Sequence, residues 1–309
     1  MEFTLHPRAP YNFDLMLHYL QRSDLETVDR VNDGTFSTVL RMNGRSVRVT
    51  LKSTGTVARP KLAGQLSGEV RGSEDLDIIC RHLERRFHLQ DDAGAFYQQM
   101  ETEVRLAPLL RTFFGLKPVN SASLYEALTW AIIGQQINIR FAYMLKKTLV
   151  DMAGARLEVD GEIYFAFPEP KAVAALSYDD LTRQRFSRRK AEYLIDLARQ
   201  VDAGTIRLGT APDKDPEEIL NNLTGIRGIG RWTAEYGLMR GLGYPDVLPA
   251  ADIGLRNAVQ SVYGLQQQPD EETVRKIGVS WAGWRSWVAF YLWFYLAYQR
   301  RFPEEEGNG

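Results

Sequence analysis

The stretch LTGIRGIGRWTAEY, Leu223 to Tyr236, sets Gly225, Gly228 and Gly230 between one helical pattern and the start of another, with Arg227, Arg231 and Thr233 beside them. Glycines can take positive φ and leave their amides bare. The N–H groups of such a hairpin and of the next helix's first turn then converge on a spot suited to an anion. Two familiar anion-binding turns fail on particular residues. A dinucleotide turn needs a preceding strand and a third glycine; DPEEILNNL reads as a helix, and Thr233 stands at the glycine position. A hydrolase phosphate loop needs Gly-Lys-Ser/Thr, which is missing. A helix, a tight hairpin and a second helix remain. That unit is either a compact turn that binds nothing or a seat for a DNA backbone phosphate, a contact that positions without reading sequence.

A carboxylate follows. In GYPDVLPAADIGLRNAV, Asp252 stands after Pro249 and just before a helical pattern. It can be an N-cap, a fixed negative charge beside a cation that develops during bond cleavage, or both, because capping holds a carboxylate rigidly. Tryptophans near helix starts are ordinarily core, which is the expectation for Trp281, Trp284 and Trp287. His6, His18, His82 and His88 all fall near the N-terminus without ligand spacing, so no metal-activated water is indicated. The one cysteine, Cys80, excludes an intramolecular disulfide and any four-cysteine metal site, and reads as a small core residue.

The elements that must position these groups fall into two regions, an α+β fold class. Residues 1–90 read as a small antiparallel β/α domain. NFDLMLHYLQ is a helix with Asn12 as N-cap and Leu15, Met16 and Tyr19 at helical spacing. Asp33-Gly34 and Asn43-Gly44 punctuate extended segments in which Phe36, Thr38, Leu40 and then Val47, Val49, Leu51 alternate. A further strand is expected around Gln65 to Arg71. A helix capped by Ser73 follows, with Leu76, Ile79, Cys80, Leu83 and Phe87 as its apolar stripe. Residues 91–309 read as an almost wholly helical body, with the helix-hairpin-helix at about 216–243 and the Asp252 loop at 244–252. The tail PEEEGNG is expected to be disordered.

Composition narrows the function class. The chain has 309 residues, 44% hydrophobic and 25% charged, and a net charge of −1. Those are the values of an ordinary soluble protein, with length enough for about two domains. The apolar run WVAFYLWFYLA is too short to span a bilayer and reads as a buried helix, so no membrane partner is expected. The N-terminus lacks a signal pattern, which favours the cytoplasm. With no general attraction to a polyanion, DNA binding needs a locally basic face. RQRFSRRK (183–190) and the trio Arg227, Arg231 and Arg240 are the candidates, although RQRFSRRK, balanced by Asp179 and Asp180, reads better as a solvated helix start.

Together the motifs GIGRWTAEY, VLPAAD, AIIGQQI, WRSWVAFYLWF and PYNFDLMLHYL resemble, in order and over nearly the whole chain, the helix-hairpin-helix (Gly/Pro…Asp) DNA glycosylases of the 3-methyladenine glycosylase II family. The resemblance implies base flipping and hydrolysis of the N-glycosidic bond of alkylated purines in duplex DNA, in a monomeric, nucleoid-associated repair enzyme. It places Asp252 as the catalytic carboxylate and Trp232, Tyr236 and Trp293 around the base. Gln135 and Gln136 fall on the loop that enters the duplex, Gln136 where the family carries an apolar wedge. Gly225, Arg227, Gly228, Ile229, Gly230, Arg231 and Thr233 become DNA contacts. No cofactor is required. A sodium or potassium ion can bridge the carbonyls of Thr224, Ile226 and Ile229 to phosphate. Bifunctional relatives carry a lysine where this chain has Trp232, so a hydrolytic enzyme without lyase activity is expected. The readings set against this are a non-catalytic DNA-binding scaffold and a glycosylase for oxidised or deaminated bases.

Overall fold

The chain opens with strand β1 (Glu2–Leu5) and helix α1 (Phe13–Leu20), whose cap Asn12 accepts from the Leu15 amide at 3.3 Å. The computed structural model describes residues 1–209 and 215–301, without the side chains of Arg300 and Arg301; the PEEEGNG tail lies outside the described residues. Next come β2 (Arg30–Asn32), β3 (Thr35–Met42), β4 (Arg45–Ser53) and β5 (Leu62–Gly68). Asp33, Gly34, Asn43 and Gly44 have φ of 47°, 71°, 50° and 80°. Two positive values per turn suit the tight hairpins that match strand twist. The sheet is antiparallel, in the order β1-β5-β4-β3-β2. Phe36, Thr38 and Leu40 pair opposite Leu51, Val49 and Val47, and all six are buried.

Two expectations need correction here. The fifth strand ends at Gly68 rather than near residue 71, because the backbone turns left-handed there, with φ +101°. Ser73 caps nothing: α2 (Gly72–Arg86) already contains it, and the carboxylate of Asp75 accepts from the Arg71 amide instead, at 2.6 Å. The α2 stripe packs as expected, with Ile79, Leu83 and Phe87 fully buried and Leu76 and Cys80 partly so.

Beyond it lie α3 (Ala93–Met100), α4 (Ala107–Thr112), α5 (Leu124–Gly134) and α6 (Ile139–Ala153). A hairpin of β6 (Arg156–Val159) and β7 (Glu162–Phe165) follows, a feature that the helical reading of the body did not include. It turns at Asp160-Gly161 and docks beside β3 through a Val39–Ala166 bridge. The helices α7 (Pro170–Ala174), α8 (Tyr178–Arg183), α9 (Arg188–Asp202), α10 (Pro216–Thr224) and α11 (Arg231–Gly237) come next. A π turn (Leu238–Leu242), α12 (Ile253–Tyr263), α13 (Glu271–Ile277) and α14 (Arg285–Arg301) complete the order. The basic run spans the end of α8 and the start of α9, where Arg183 meets Asp180 at 3.2 Å and Arg188 meets Asp179 at 2.8 Å in solvated pairs. Lys190 departs from a solvated helix start, because its side chain is buried and donates to the Ile133 carbonyl.

Hydrophobic burial is divided between two cores. One joins the sheet, α1 and α2 to α12, α13 and α14, and contains the fully buried Trp281 and Trp287. The second is formed by α5, α6, α9, α10 and α11. A small aromatic cluster of Tyr236, Trp130, Trp232 and Trp293 lies between them: Trp293 also packs on the first core and Trp130 on the second. A seam between two packed cores is a common place for a ligand site. Residues Trp287 to Leu292 of the apolar run are buried in α14, and among the described residues no helix is long and apolar enough to cross a membrane.

Candidate active site

Three elements bring the expected pocket residues together. Helix α11 carries Trp232 and Tyr236 one turn apart, α14 carries Trp293, and Asp252 begins α12. The Tyr236 ring centroid lies 6.0 Å from that of Trp232 and 5.9 Å from that of Trp293, tilted by 44° and 43°. The result is a row of electron-rich faces. Beside it, Asp252 Oδ1 accepts from the Leu255 amide at 2.7 Å and from the Trp293 indole N–H at 2.9 Å. The capping and functional readings of Asp252 therefore coexist in one side chain. The indole N–H of Trp232 is buried without a full hydrogen bond, yet lies close enough to Asp252 to favour its charged form. Burial pushes the Asp252 carboxyl above its ordinary value, against the Leu255 amide and the two indole N–H groups, which hold it down.

The hairpin between α10 and α11 departs from expectation in its backbone. Only Gly228 has positive φ, at +92°; Gly225 is at −70° and Gly230 at −84°, because the first ends α10 in helical geometry and the second caps α11 from the extended region. A side chain at Gly228 would also strike the ring of Tyr193, 2.3 Å from an added Cβ. Gly230 caps without a side chain, so no N-cap side chain accepts from the first turn of α11. Ile229 is buried, and its amide donates to the Ile226 carbonyl at 3.0 Å. Thr224, Ile226 and Ile229 place their carbonyls along this turn, and among the described residues no cluster of His, Cys, Asp or Glu is fit to hold a metal.

The arginines divide. Arg227 is exposed and pairs with Glu192 at 2.6 Å and Asp196 at 3.3 Å. Arg231, also exposed, pairs with Glu235 at 3.0 Å and Glu217 at 3.7 Å. Arg240 is not part of a basic face: it is buried, donates to the Tyr19 hydroxyl and lies over the Phe290 ring, because the π turn directs it inward toward α1 and α14. Gln135 and Gln136 follow α5. Gln135 is half-buried against the hairpin and Gln136 is exposed.

Sequence reasoning missed two groups. Glu235, one residue from Tyr236, is a buried carboxylate held by Arg231 and, at 2.8 Å, by Arg275 of α13. Arg275 also donates to the Leu248 carbonyl at 3.3 Å, on the loop that leads to Asp252. An (i, i+4) pair of Arg231 and Glu235 on one helix face was the available signal. Behind Tyr236, a cavity of about 40 Å³ is lined by Tyr19, Arg22, Glu126, Tyr143, Lys146 and Arg240 among others. Its charges come from segments far apart in the chain, so no local pattern announces it.

This geometry agrees with what the chain is similar to. The family model described as HhH-GPD superfamily base excision DNA repair protein matches residues 129–282, and that described as AlkA N-terminal domain matches residues 2–119. A Bacillus subtilis protein named DNA-3-methyladenine glycosylase is 30% identical over 285 residues, 92% of this chain and 93% of its own. The solved 3-methyladenine DNA-glycosylase from Archaeoglobus fulgidus superposes with a TM-score of 0.85 at 28% identity, covering 98% of this chain and 99% of that one. A Schizosaccharomyces pombe 3-methyladenine DNA glycosylase in complex with abasic DNA gives a TM-score of 0.55 at 27% identity, over 65% of this chain and 95% of its own.

Proposed function

The chain belongs to the HhH-GPD superfamily of base excision DNA repair proteins, and from that premise we propose that it is a monofunctional DNA glycosylase that removes alkylated purines from duplex DNA. It hydrolyses the N-glycosidic bond and leaves an abasic site. The observation that carries this reading is the placement of Asp252, held rigidly as the N-cap of α12 and bonded to Trp293, beside both indoles of a cluster of three aromatic rings.

A glycosidic carbon in stacked duplex is out of reach, so the nucleotide rotates out into the enzyme. Unstacking costs a few kcal/mol, and less at damaged or mispaired bases, which gives a first layer of selection. The faces of Trp232, Tyr236 and Trp293 replace the lost stacking. A purine made cationic by methylation gains cation–π attraction of about 0.5–2 kcal/mol that a normal base lacks. As the sugar–base bond breaks, positive charge grows on the deoxyribose. The Asp252 carboxylate stabilises it and orients the attacking water. The base departs neutral, so one carboxylate suffices where sugar hydrolases usually need two.

The hairpin, through Gly225, Gly228, Ile229, Gly230 and Thr233, receives a backbone phosphate, with Arg227 and Arg231 exchanging carboxylates for phosphate oxygens. A sodium or potassium ion on the carbonyls of Thr224, Ile226 and Ile229 would add positive charge to that seat; the chemistry itself calls for no cofactor. Gln136 fills the gap left by the base and can hydrogen-bond the orphaned partner. On this reading the protein acts as a monomer on nucleoid DNA. It predicts faster excision of cationic lesions than of neutral hypoxanthine. The test is incubation with methylated duplex. Free methylpurine should appear, the strand should stay intact until alkali cleaves it, and borohydride should trap no protein–DNA adduct, because Trp232 offers no amine. Release of no base at all, or a trapped adduct, would overturn the reading.

A further inference from the structure

Gln136 adopts a backbone conformation that ordinary residues avoid. Its φ is +57°, in the left-handed region, and its side chain is exposed. A residue other than glycine stays there only when its surroundings over-determine it. They do so on both flanks. On one side, the buried Lys190 of α9 donates from Nζ to the Ile133 carbonyl at 2.6 Å. On the other, Asn138 caps α6 by accepting from the Phe141 amide at 2.9 Å. Between them Gln135 reaches out of the loop altogether. Its Nε2 donates to the Gly228 carbonyl and to the Thr233 hydroxyl, both at 3.0 Å. A carbonyl can only accept, so the orientation of the amide is set by its partner. One acceptor lies in the hairpin and the other in the first turn of α11, next to Trp232.

We propose that Gln135 is a positioning residue. Its amide fixes the separation between the hairpin and Gln136, so that a duplex seated on the hairpin meets Gln136 already aimed at the site of base extrusion. Gln135 acts through Gln136 and touches no nucleotide, unlike the DNA contact that the sequence resemblance implies for it. The clasp works even where hairpin and loop must approach the duplex together, because no separate closure is needed to bring the loop into register. The inference rests on the glycosylase reading for what Gln136 enters, and not for the clasp itself.

The test uses the full chain and a duplex with a tetrahydrofuran abasic analogue opposite 2-aminopurine, whose fluorescence reports entry of a side chain into the stack. Binding is read by anisotropy, and single-turnover excision on methylated duplex. Gln135→Met should bind within about threefold of wild type but lose most of the fluorescence change and slow excision by about tenfold, as Gln136→Ala does, with the double variant little worse than either. Gln135→Glu supplies an independent readout. Its ionised carboxylate repels the Gly228 carbonyl, whereas the protonated form donates to it. Its excision relative to wild type should therefore rise as pH falls, while that of Gln135→Met stays flat. Duplex binding weakened about tenfold in Gln135→Met, with the fluorescence change intact at saturation, would make Gln135 a direct DNA contact and overturn the proposal. So would wild-type behaviour of both variants, or a flat ratio for Gln135→Glu. If wild type gives the fluorescence change yet releases no methylpurine, the glycosylase reading fails while the clasp stands.

Discussion

Replacing Trp293 with phenylalanine removes the pyrrole ring of the indole with its N–H and keeps one six-membered aromatic ring. Part of the aromatic face beside Tyr236 and of the burial against the first core survives, and Asp252 Oδ1 loses the donor at 2.9 Å. A hydrogen bond to an ionised group contributes about 1.5–3 kcal/mol. Trp293 is half-buried, so water replaces part of that, and a loss of about 1–2 kcal/mol is the expected scale. If the bond acts on the charge-stabilising carboxylate, excision at neutral pH falls roughly 5- to 30-fold. The pH dependence gives the sharper signature. The indole N–H favours the ionised carboxylate, so its removal raises the Asp252 carboxyl further from its ordinary value. The acid limb of the single-turnover excision rate, which requires the ionised form, must then move to higher pH. The assay is single-turnover release of methylpurine across pH with wild type and Trp293→Phe, at saturating enzyme. A rate lowered equally at every pH, with the acid limb where wild type has it, would refute the coupling and leave Trp293 as a stacking surface alone.

Three further outcomes follow from the same contacts. Gly228→Ala places a Cβ in the left-handed region and against the Tyr193 ring, so thermal or urea denaturation should show a loss of about 2–4 kcal/mol. Gly230→Ala meets open space at negative φ but weakens the N-cap of α11, so it should cost no more than about 1 kcal/mol, and a loss of DNA affinity by the folded variant reports a phosphate approaching the backbone. Arg275→Met leaves the buried Glu235 with Arg231 alone; unfolding should show about 1–3 kcal/mol lost at neutral pH. Burial already raises the Glu235 carboxyl, and the variant raises it further, so the folded state holds its proton to higher pH than the unfolded state does. The loss should therefore shrink as pH falls toward the ordinary carboxylate range. A pH-independent loss would mean that Arg275 contributes packing rather than charge.

Much of the fold is legible where a local rule and a global need coincide. Asp33-Gly34 and Asn43-Gly44 demand positive φ, and the alternation on either side puts one face inward, so the meander could be read directly. The β6–β7 hairpin carries the same Asp-Gly punctuation at residues 160–161, but its strands are four residues long and largely exposed, too short for alternation to register. Ser73 had the chemistry of a cap and lost the position to a longer-range competitor, since Asp75 serves both the Arg71 amide and Arg45. At the site, Asp252 could be read as cap and functional charge in one side chain, but nothing local shows that α14 brings the Trp293 indole N–H onto the same oxygen. Arg240 looked basic and surface-bound in sequence because nothing local reveals that a π turn rotates it toward Tyr19. The clasp of Gln135 is likewise invisible in sequence, because its partners lie in the hairpin and in α11.

The most direct test of the central claim is base release by Asp252→Asn measured together with its stability. Asparagine keeps the cap to Leu255 and an acceptor for Trp293 but carries no charge. Because burial raises the Asp252 carboxyl, the ionised group costs the folded state stability above the ordinary carboxylate pKa. Asp252→Asn should therefore melt at or above wild type at neutral pH, with the difference vanishing in acid. Methylpurine release should meanwhile fall by about 100-fold or more, with duplex binding retained. Release at the wild-type rate from a folded, DNA-binding Asp252→Asn would contradict the account.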